Sequence, residues 1–168
     1  MDKEHIFFEN YARNWDRDRK ADAKILSSFM ELAGIRHGSV ILDAGCGTGV
    51  LLPYLSAAAG DDGTVEGFDY SQQMIDVAKE KFSYLANVTF TAGDVLKYHF
   101  PEKHYDVVCC LNFYPHIASH SRDVIRRSMR PWCRGGRCSS CTICPARPST
   151  PSTAASLCCR RSMSWKRN

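Results

Sequence analysis

The stretch Val40-Ile41-Leu42-Asp43-Ala44-Gly45-Cys46-Gly47-Thr48-Gly49 decides the fold. An apolar run too short for a helix ends in a carboxylate, and glycine then recurs at every second position. Ser39 to Asp43 reads as a buried strand, Ala44 to Gly49 as a loop, and Val50 to Ala59 as an apolar helix closed by Gly60. Glycines let the backbone turn tightly and let a ligand approach closely. A Gly-x-Gly pair alone points to no single nucleotide. Here Val50 stands where a dinucleotide fingerprint needs its third glycine. Asp43 sits beside the place a pyrophosphate would occupy and would repel it. It suits a ligand with an ammonium group, held directly or through water.

Outward from this loop, strands and helices alternate. Asp61-Asp62-Gly63 is a turn, Thr64 to Phe68 a second strand ending at Asp69, and Ser71 the cap of a helix over Gln72 to Phe82. Val88 to Thr91 is a third strand, followed by Gly93-Asp94, and Tyr105 to Leu111 is a fourth. His120 to Arg126 begins another helix. Upstream, His5 to Trp15 carries an aromatic face at helical spacing, Asp16 to Lys20 is a charged break, and Ala21 to Ile35 is a helix ending near Gly34. This order predicts an α/β fold, a doubly wound parallel sheet with right-handed crossovers.

Three carboxylates fall at three successive strand ends. Asp69, 26 residues after Asp43, can accept both hydroxyls of a ribose, and Asp94 can accept from an adenine amino group. The ligand with an ammonium, a ribose and an adenine but no phosphate is S-adenosylmethionine. The alternative is that the three aspartates only cap helices and turns.

These residues resemble the class I S-adenosylmethionine-dependent methyltransferases. Val40 to Gly49 looks like their first motif, Glu66-Gly67-Phe68-Asp69-Tyr70-Ser71 with Met74 like the second, and Ala92-Gly93-Asp94-Val95 like the adenine-binding turn. Tyr105-Asp106-Val107-Val108 leading to Asn112 looks like motif IV, and Tyr11 with Trp15-Asp16 resembles the N-terminal lid of the small-molecule branch, which includes quinone-biosynthesis methyltransferases. The resemblance covers residues 5 to about 126. It implies a Rossmann-like methyltransferase fold with Gly45, Gly47, Thr48 and Gly49 in the cofactor loop and Gly45 and Gly47 against the methionine portion. It also implies Asp69 on the ribose, Tyr70 and Met74 flanking the adenine, and Gly93, Asp94 and Val95 at the adenine edge. Asn112 would begin the wall facing a small-molecule acceptor. Tyr11 and Trp15 would close over the sulfonium, where aromatic faces favour a cation; plain helix packing is their other reading.

Methyl transfer from a sulfonium is an in-line displacement that positioning can accelerate. A base is needed only for an acceptor protonated at neutral pH. His116, after Pro115, is the candidate, with a packing or surface histidine as the alternative.

The 168 residues, 18.9 kDa, leave room for one domain. All 18 carboxylates lie at or before Asp123, against 12 Lys and Arg over the same residues, a net of −6; the last 45 residues hold 10 Lys and Arg and no carboxylate. The acidic part implies no nucleic-acid partner. No apolar run is long enough to span a membrane, and the first residues lack a secretory signal. Cys46, Cys109 and Cys110 read as reduced, buried thiols of a cytoplasmic protein.

The division expected is a methyltransferase domain over 1–127, truncated after the fourth strand and following helix, and an aberrant or disordered Cys/Ser/Pro-rich tail over 128–168. Cys138-x-x-Cys141-x-x-Cys144-Pro145 has the spacing of a thiolate cluster, with Cys133, Cys158 or Cys159 as a fourth ligand. On that alternative the protein binds iron–sulfur or another metal; a nucleotide-binding oxidoreductase is a further alternative, disfavoured by Asp43 and Val50. The favoured reading of the tail is out-of-frame translation. When the third base of each codon starts the next, Cys133 to Ile143 can encode Pro-Gly-Gly-Lys-Val-Leu-Val-Val-His-Asp, a turn and fifth strand at the expected place. In the frame as it stands, no strand is expected beside Tyr105 to Leu111, and the backbone is expected to be irregular from about Pro131.

Overall fold

The computed structural model describes residues 3–18, 24, 26, 33–95, 97–102 and 104–111, and the backbone of 141–144. Two short helices open the chain, α1 (Lys3–Tyr11) and α2 (Trp15–Asp18), joined by a 3₁₀ turn at Ala12–Asn14. Then come β1 (Val40–Ala44), α3 (Leu52–Ala59), β2 (Thr64–Asp69), α4 (Gln72–Phe82), β3 (Val88–Ala92), β4 (Val107–Leu111) and β5 (Cys141–Cys144). The break expected at Asp16 to Lys20 is corrected over its first part, since the helical path changes earlier, at Ala12–Asn14, and Asp16 to Asp18 are helical; residues 19 and 20 lie outside the described residues. The bonds that Asp16 accepts from Thr48 and Lys81 give this charged run tertiary contacts, which override its weak local signal. Most of the helix expected over Ala21 to Ile35, and the one from His120, lie outside the described residues.

The sheet runs β3-β2-β1-β4-β5, and every described pairing is parallel. The doubly wound α/β fold expected from the alternating pattern is the one observed. Successive crossovers carry the chain outward from β1 to β3; it then returns to the other side of β1 as β4. Backbone and side chain fix that return, since Val40 N–H donates to Asp106 Oδ2 at 2.9 Å and Asp106 N–H donates to Val40 C=O at 2.8 Å.

The fifth strand corrects the expectation of a sheet ending at β4. Cys141 to Cys144 pair in parallel with Val108 to Leu111. The physical reason is the edge itself. β4 offers a row of unpaired N–H and C=O groups, which template any extended neighbour without regard to its side chains. Thr142 and Ile143 are β-branched and the tetrapeptide is uncharged, so it suits that edge.

Period-two alternation splits the strands between two faces. Ile41, Val65, Val107 and Cys109 pack with Leu51, Leu52 and Leu55 of the α3 segment and Ile75 and Ala78 of α4. On the other face, Phe68 meets Tyr98 and Phe100 with ring centroids 5.0 and 4.8 Å apart. Glu66 joins that face to its neighbours, accepting from Thr91 Oγ1 at 2.8 Å and from the Tyr105 hydroxyl at 2.5 Å.

Gly49 is where the loop must lie close to the helical layer. Its φ is +86°, and an added Cβ would come within 2.9 Å of Leu52 Cδ1 and of the Phe82 ring. Strain and overpacking act together at this position. Gly49→Ala should therefore lower stability by about 1–3 kcal/mol, read as a lower urea midpoint at unchanged m-value.

Candidate functional site

The site is the C-terminal edge of the sheet, where the ends of β1, β2 and β3 meet the glycine loop. Main-chain hydrogen bonds lace these ends together. Gly45 and Cys46 N–H groups donate to Phe68 C=O at 2.7 and 3.0 Å, and Gly93 N–H donates to Asp69 C=O at 2.8 Å. The loop after β1 thus hangs on the end of β2, and the turn after β3 hangs on it from the other side.

Asp69 sits at the centre of this lacing. Its Oδ2 accepts from Gly47 N–H at 2.8 Å and its Oδ1 from Ser71 N–H at 2.9 Å. Burial raises its pKa, partly offset by the N–H groups of Ser71, Gly47 and Tyr70, and the Glu9 charge raises it further. Ser71 is the expected helix cap, its Oγ accepting from Met74 N–H at 3.2 Å.

Asp43 is different in kind. It is 1% exposed, and neither carboxylate oxygen has a hydrogen-bond partner. Burial first, and then the Asp69 charge, push its pKa up to about 7. A buried polar group without a partner is costly and uncommon. Such a carboxyl is half ionised near neutrality and wants a cationic donor. Cys46 is a buried thiol whose pKa is pushed well up by burial, then by the Asp69 and Asp43 charges, which favours the protonated thiol over the thiolate.

Gly47, with φ +54°, has open space where a Cβ would stand. Thr48 is buried, and its Oγ1 donates to Asp16 Oδ1 at 2.6 Å. Past β3, Val95 is buried and the Asp94 carboxylate lies 3.0 Å from Lys97 Nζ. Of the pair expected to flank an adenine, Met74 is wholly buried, while Tyr70 is 39% exposed and packs on the His5 ring at 4.1 Å. Tyr11 and Trp15 are half-buried and join an aromatic cluster, Tyr11 stacked on Phe7 at 5.3 Å and Trp15 edge-on to Phe8 at 5.6 Å. Asn112 and His116 lie outside the described residues, as do Cys133, Cys138, Cys158 and Cys159. No cluster of three or more His, Cys, Asp or Glu that could hold a metal occurs among the described residues.

Three further residues reach this region: Glu9 and Lys81, which sequence reasoning passed over, and Asp16, which it quoted only as part of the lid-like stretch. Glu9 Oε1 accepts from Gln72 N–H at 2.8 Å, at the start of α4. Burial works against the Glu9 charge, but hydrogen bonds from His5, Ser71 and the Gln72 and Gln73 N–H groups hold its pKa below the ordinary value. Asp16 accepts from Thr48 and from Lys81 Nζ, the latter at 2.7 Å. All three belong to polar helix faces, and only the fold brings them to the loop.

A family model described as a methyltransferase domain matches residues 41–136, and the chain belongs to that family. Over 112 residues the chain is 34% identical to a demethylmenaquinone methyltransferase of Staphylococcus aureus, covering 62% of this chain and 45% of that protein. The chain thus spans about half the length of the curated relatives it matches. Among solved structures, it superposes on a TehB-like S-adenosylmethionine-dependent methyltransferase of Corynebacterium glutamicum with a TM-score of 0.59 at 24% identity, over 82% of this chain and 72% of that one. A methyltransferase of Thiobacillus denitrificans, solved with S-adenosylhomocysteine, superposes with a TM-score of 0.61 at 23% identity, over 81% and 54% of the two chains. These likenesses show the fold.

The orphaned carboxyl has a measurable signature. Folding raises the Asp43 pKa, so between about pH 4 and pH 7 the folded state holds a proton that the unfolded state has lost. Stability from this group is therefore present below the unfolded pKa and falls as pH rises toward 7, with a slope of up to ~1.4 kcal/mol per pH unit. Urea unfolding of the wild type and Asp43→Asn at pH 5 and pH 7 should show the variant losing less stability over that interval.

Proposed function

We propose that this chain binds S-adenosylmethionine across the ends of β1, β2 and β3 and transfers its methyl group to a small molecule. The observation that carries the reading is the buried, unpartnered Asp43 carboxyl beside a glycine loop with open space at Gly47. That environment favours a cation and disfavours phosphate. When bound, S-adenosylmethionine supplies a methyl group already activated on a sulfonium.

The chain's own residues bind and orient. Asp43, ionised, receives the ammonium group directly or through water. Asp69 keeps lone pairs for the ribose hydroxyls while its two backbone bonds hold the glycine loop at Gly47 and the turn before α4 at Ser71. Tyr70 and Met74 flank the adenine, and Gly93, Asp94 and Val95 line its edge. Gly45, Thr48 and Gly49 shape the loop around the methionine portion. Tyr11 and Trp15 shield the reacting centre from water, which strengthens every electrostatic contact inside. On the family resemblance, Asn112 would face the acceptor and His116 would take its proton where there is one to lose. Because the donor is activated, alignment of the two reactants accounts for most of the acceleration.

The acceptor of the Staphylococcus relative, by its name a demethylmenaquinone, makes quinone-like aromatic compounds the first acceptors to test. The cysteines Cys46, Cys109 and Cys110 are all buried and read as reduced side chains that suit a reducing compartment, and we place the protein in the cytoplasm. No helix among the described residues is long and apolar enough to cross a membrane.

Asp69→Ala removes the ribose acceptor, the bond to the glycine loop at Gly47 and the bond to the turn before α4 at Ser71. It should weaken S-adenosylmethionine binding by at least ~1.5–3 kcal/mol, the range for a hydrogen bond to a charged group. Calorimetry on the full chain reads this directly. Unchanged affinity would remove Asp69 from the site, and tight binding of a nicotinamide dinucleotide in place of S-adenosylmethionine would overturn the reading.

A further inference from the structure

The glycine loop has a mechanical weakness. Thr48 lies between Gly47 and Gly49, at φ +54° and +86°, and both neighbours turn without steric restraint from a Cβ. Main-chain bonds anchor the loop at its start, but between Gly47 and Gly49 the side chain that grips anything is that of Thr48. It is 2% exposed, so its hydroxyl is held by the groups packed against it.

The partner of that hydroxyl is Asp16. Thr48 Oγ1 donates to Asp16 Oδ1 at 2.6 Å, Lys81 Nζ donates to Asp16 Oδ2 at 2.7 Å, and Lys81 Nζ also donates to Thr48 C=O at 2.9 Å. The three residues close a triangle between α2, the glycine loop and the last turn of α4. Their chain separations are 32, 65 and 33 residues, so nothing local holds them together. The N-terminal segment has other ties. Arg13 meets Glu80 at 3.4 Å with both side chains mostly exposed, a pair of little energetic weight. Glu9 caps the start of α4. Both reach α4; the Asp16 triangle also reaches the ligand loop.

We propose that Asp16 and Lys81 are positioning residues for the methyl donor, latching the N-terminal helices to the glycine loop through Thr48. The inference rests on the reading of the loop as the donor site. Asp16 acts through Thr48. With the latch closed, Thr48 is fixed at its hydroxyl and its carbonyl, and the Gly47 N–H stays aimed at Asp69. With the latch broken, the loop samples other glycine conformers, and binding must also order it. The Asp16 and Lys81 side chains are themselves 48% and 34% exposed, so the latch adds little to global stability while still deciding the loop's conformation.

The test uses the full chain and S-adenosylhomocysteine as probe, with affinity by calorimetry, dissociation by stopped flow, and urea unfolding alongside. Asp16→Ala and Lys81→Met should each weaken binding roughly 5- to 30-fold, mainly through faster dissociation, with little change in urea midpoint. Asp16→Asn, which keeps an acceptor for Thr48 and loses the charge for Lys81, should fall between wild type and Asp16→Ala. The double variant should be little worse than Asp16→Ala, because the two residues act as one unit. Raising salt should weaken binding more in the wild type than in Lys81→Met. If Asp16→Ala does not fold, Lys81→Met with its salt dependence carries the test. Wild-type affinity in the variants, or fully additive losses in the double variant, would overturn the latch. Failure of the wild type to bind the probe would instead overturn the donor site itself.

Discussion

A carboxyl group out of water with no partner is the constraint around which this end of the sheet is arranged. Asp43 is carried there by β1, whose flanking residues Leu42 and Ala44 are fully buried. The second carboxylate, Asp69, is spent on the backbone of the glycine loop and of the turn before α4. Two acidic groups side by side would repel each other if both were ionised, and Asp69 is the one supplied with donors. Asp43 is therefore the one left partly protonated near neutrality, and a bound cation would displace that proton.

The sheet order explains why the acidic groups gather. β1 is central, with β2 and β3 to one side and β4 and β5 to the other. The connection from β1 runs to one side and the return from β3 to β4 lies on the other, so the strand order reverses at β1, the usual ligand position in an open α/β sheet. Asp43 ends this switch-point strand, Asp69 ends β2 and Asp94 follows β3, so three chain-distant carboxylates share one edge. Hydrogen bonds from the Gly45, Cys46 and Gly93 N–H groups to the end of β2 keep that edge from spreading.

Much of this is legible in the sequence because it depends on local pattern. The apolar run before Asp43, the alternating glycines, the Ser71 cap and the Gln72–Phe82 helix are all encoded within a few residues of where they act. What escapes is encoded at a distance. Asp16 lies in an unpatterned charged run, and its partners are 32 and 65 residues away. Glu9 resembles any solvated helix residue until α4 is placed against it. The fifth strand escapes for another reason. Cys141 to Cys144 has no strand signal strong enough to stand alone, and it takes its conformation from the open edge of β4. Burial also redistributes what the sequence lists as equals: Asp43 and Asp69 read as similar strand-end carboxylates, and only packing leaves one without a donor.

The central claim is that burial keeps the Asp43 carboxyl partly protonated near neutrality until a cation reaches it. It is tested most directly by the proton balance of S-adenosylmethionine binding, measured calorimetrically at pH 7 in buffers of different ionisation enthalpy. The account predicts that the wild type releases about half a proton more than Asp43→Asn on binding, a difference that vanishes by about pH 9. Equal proton release by the two proteins at pH 7 would contradict it.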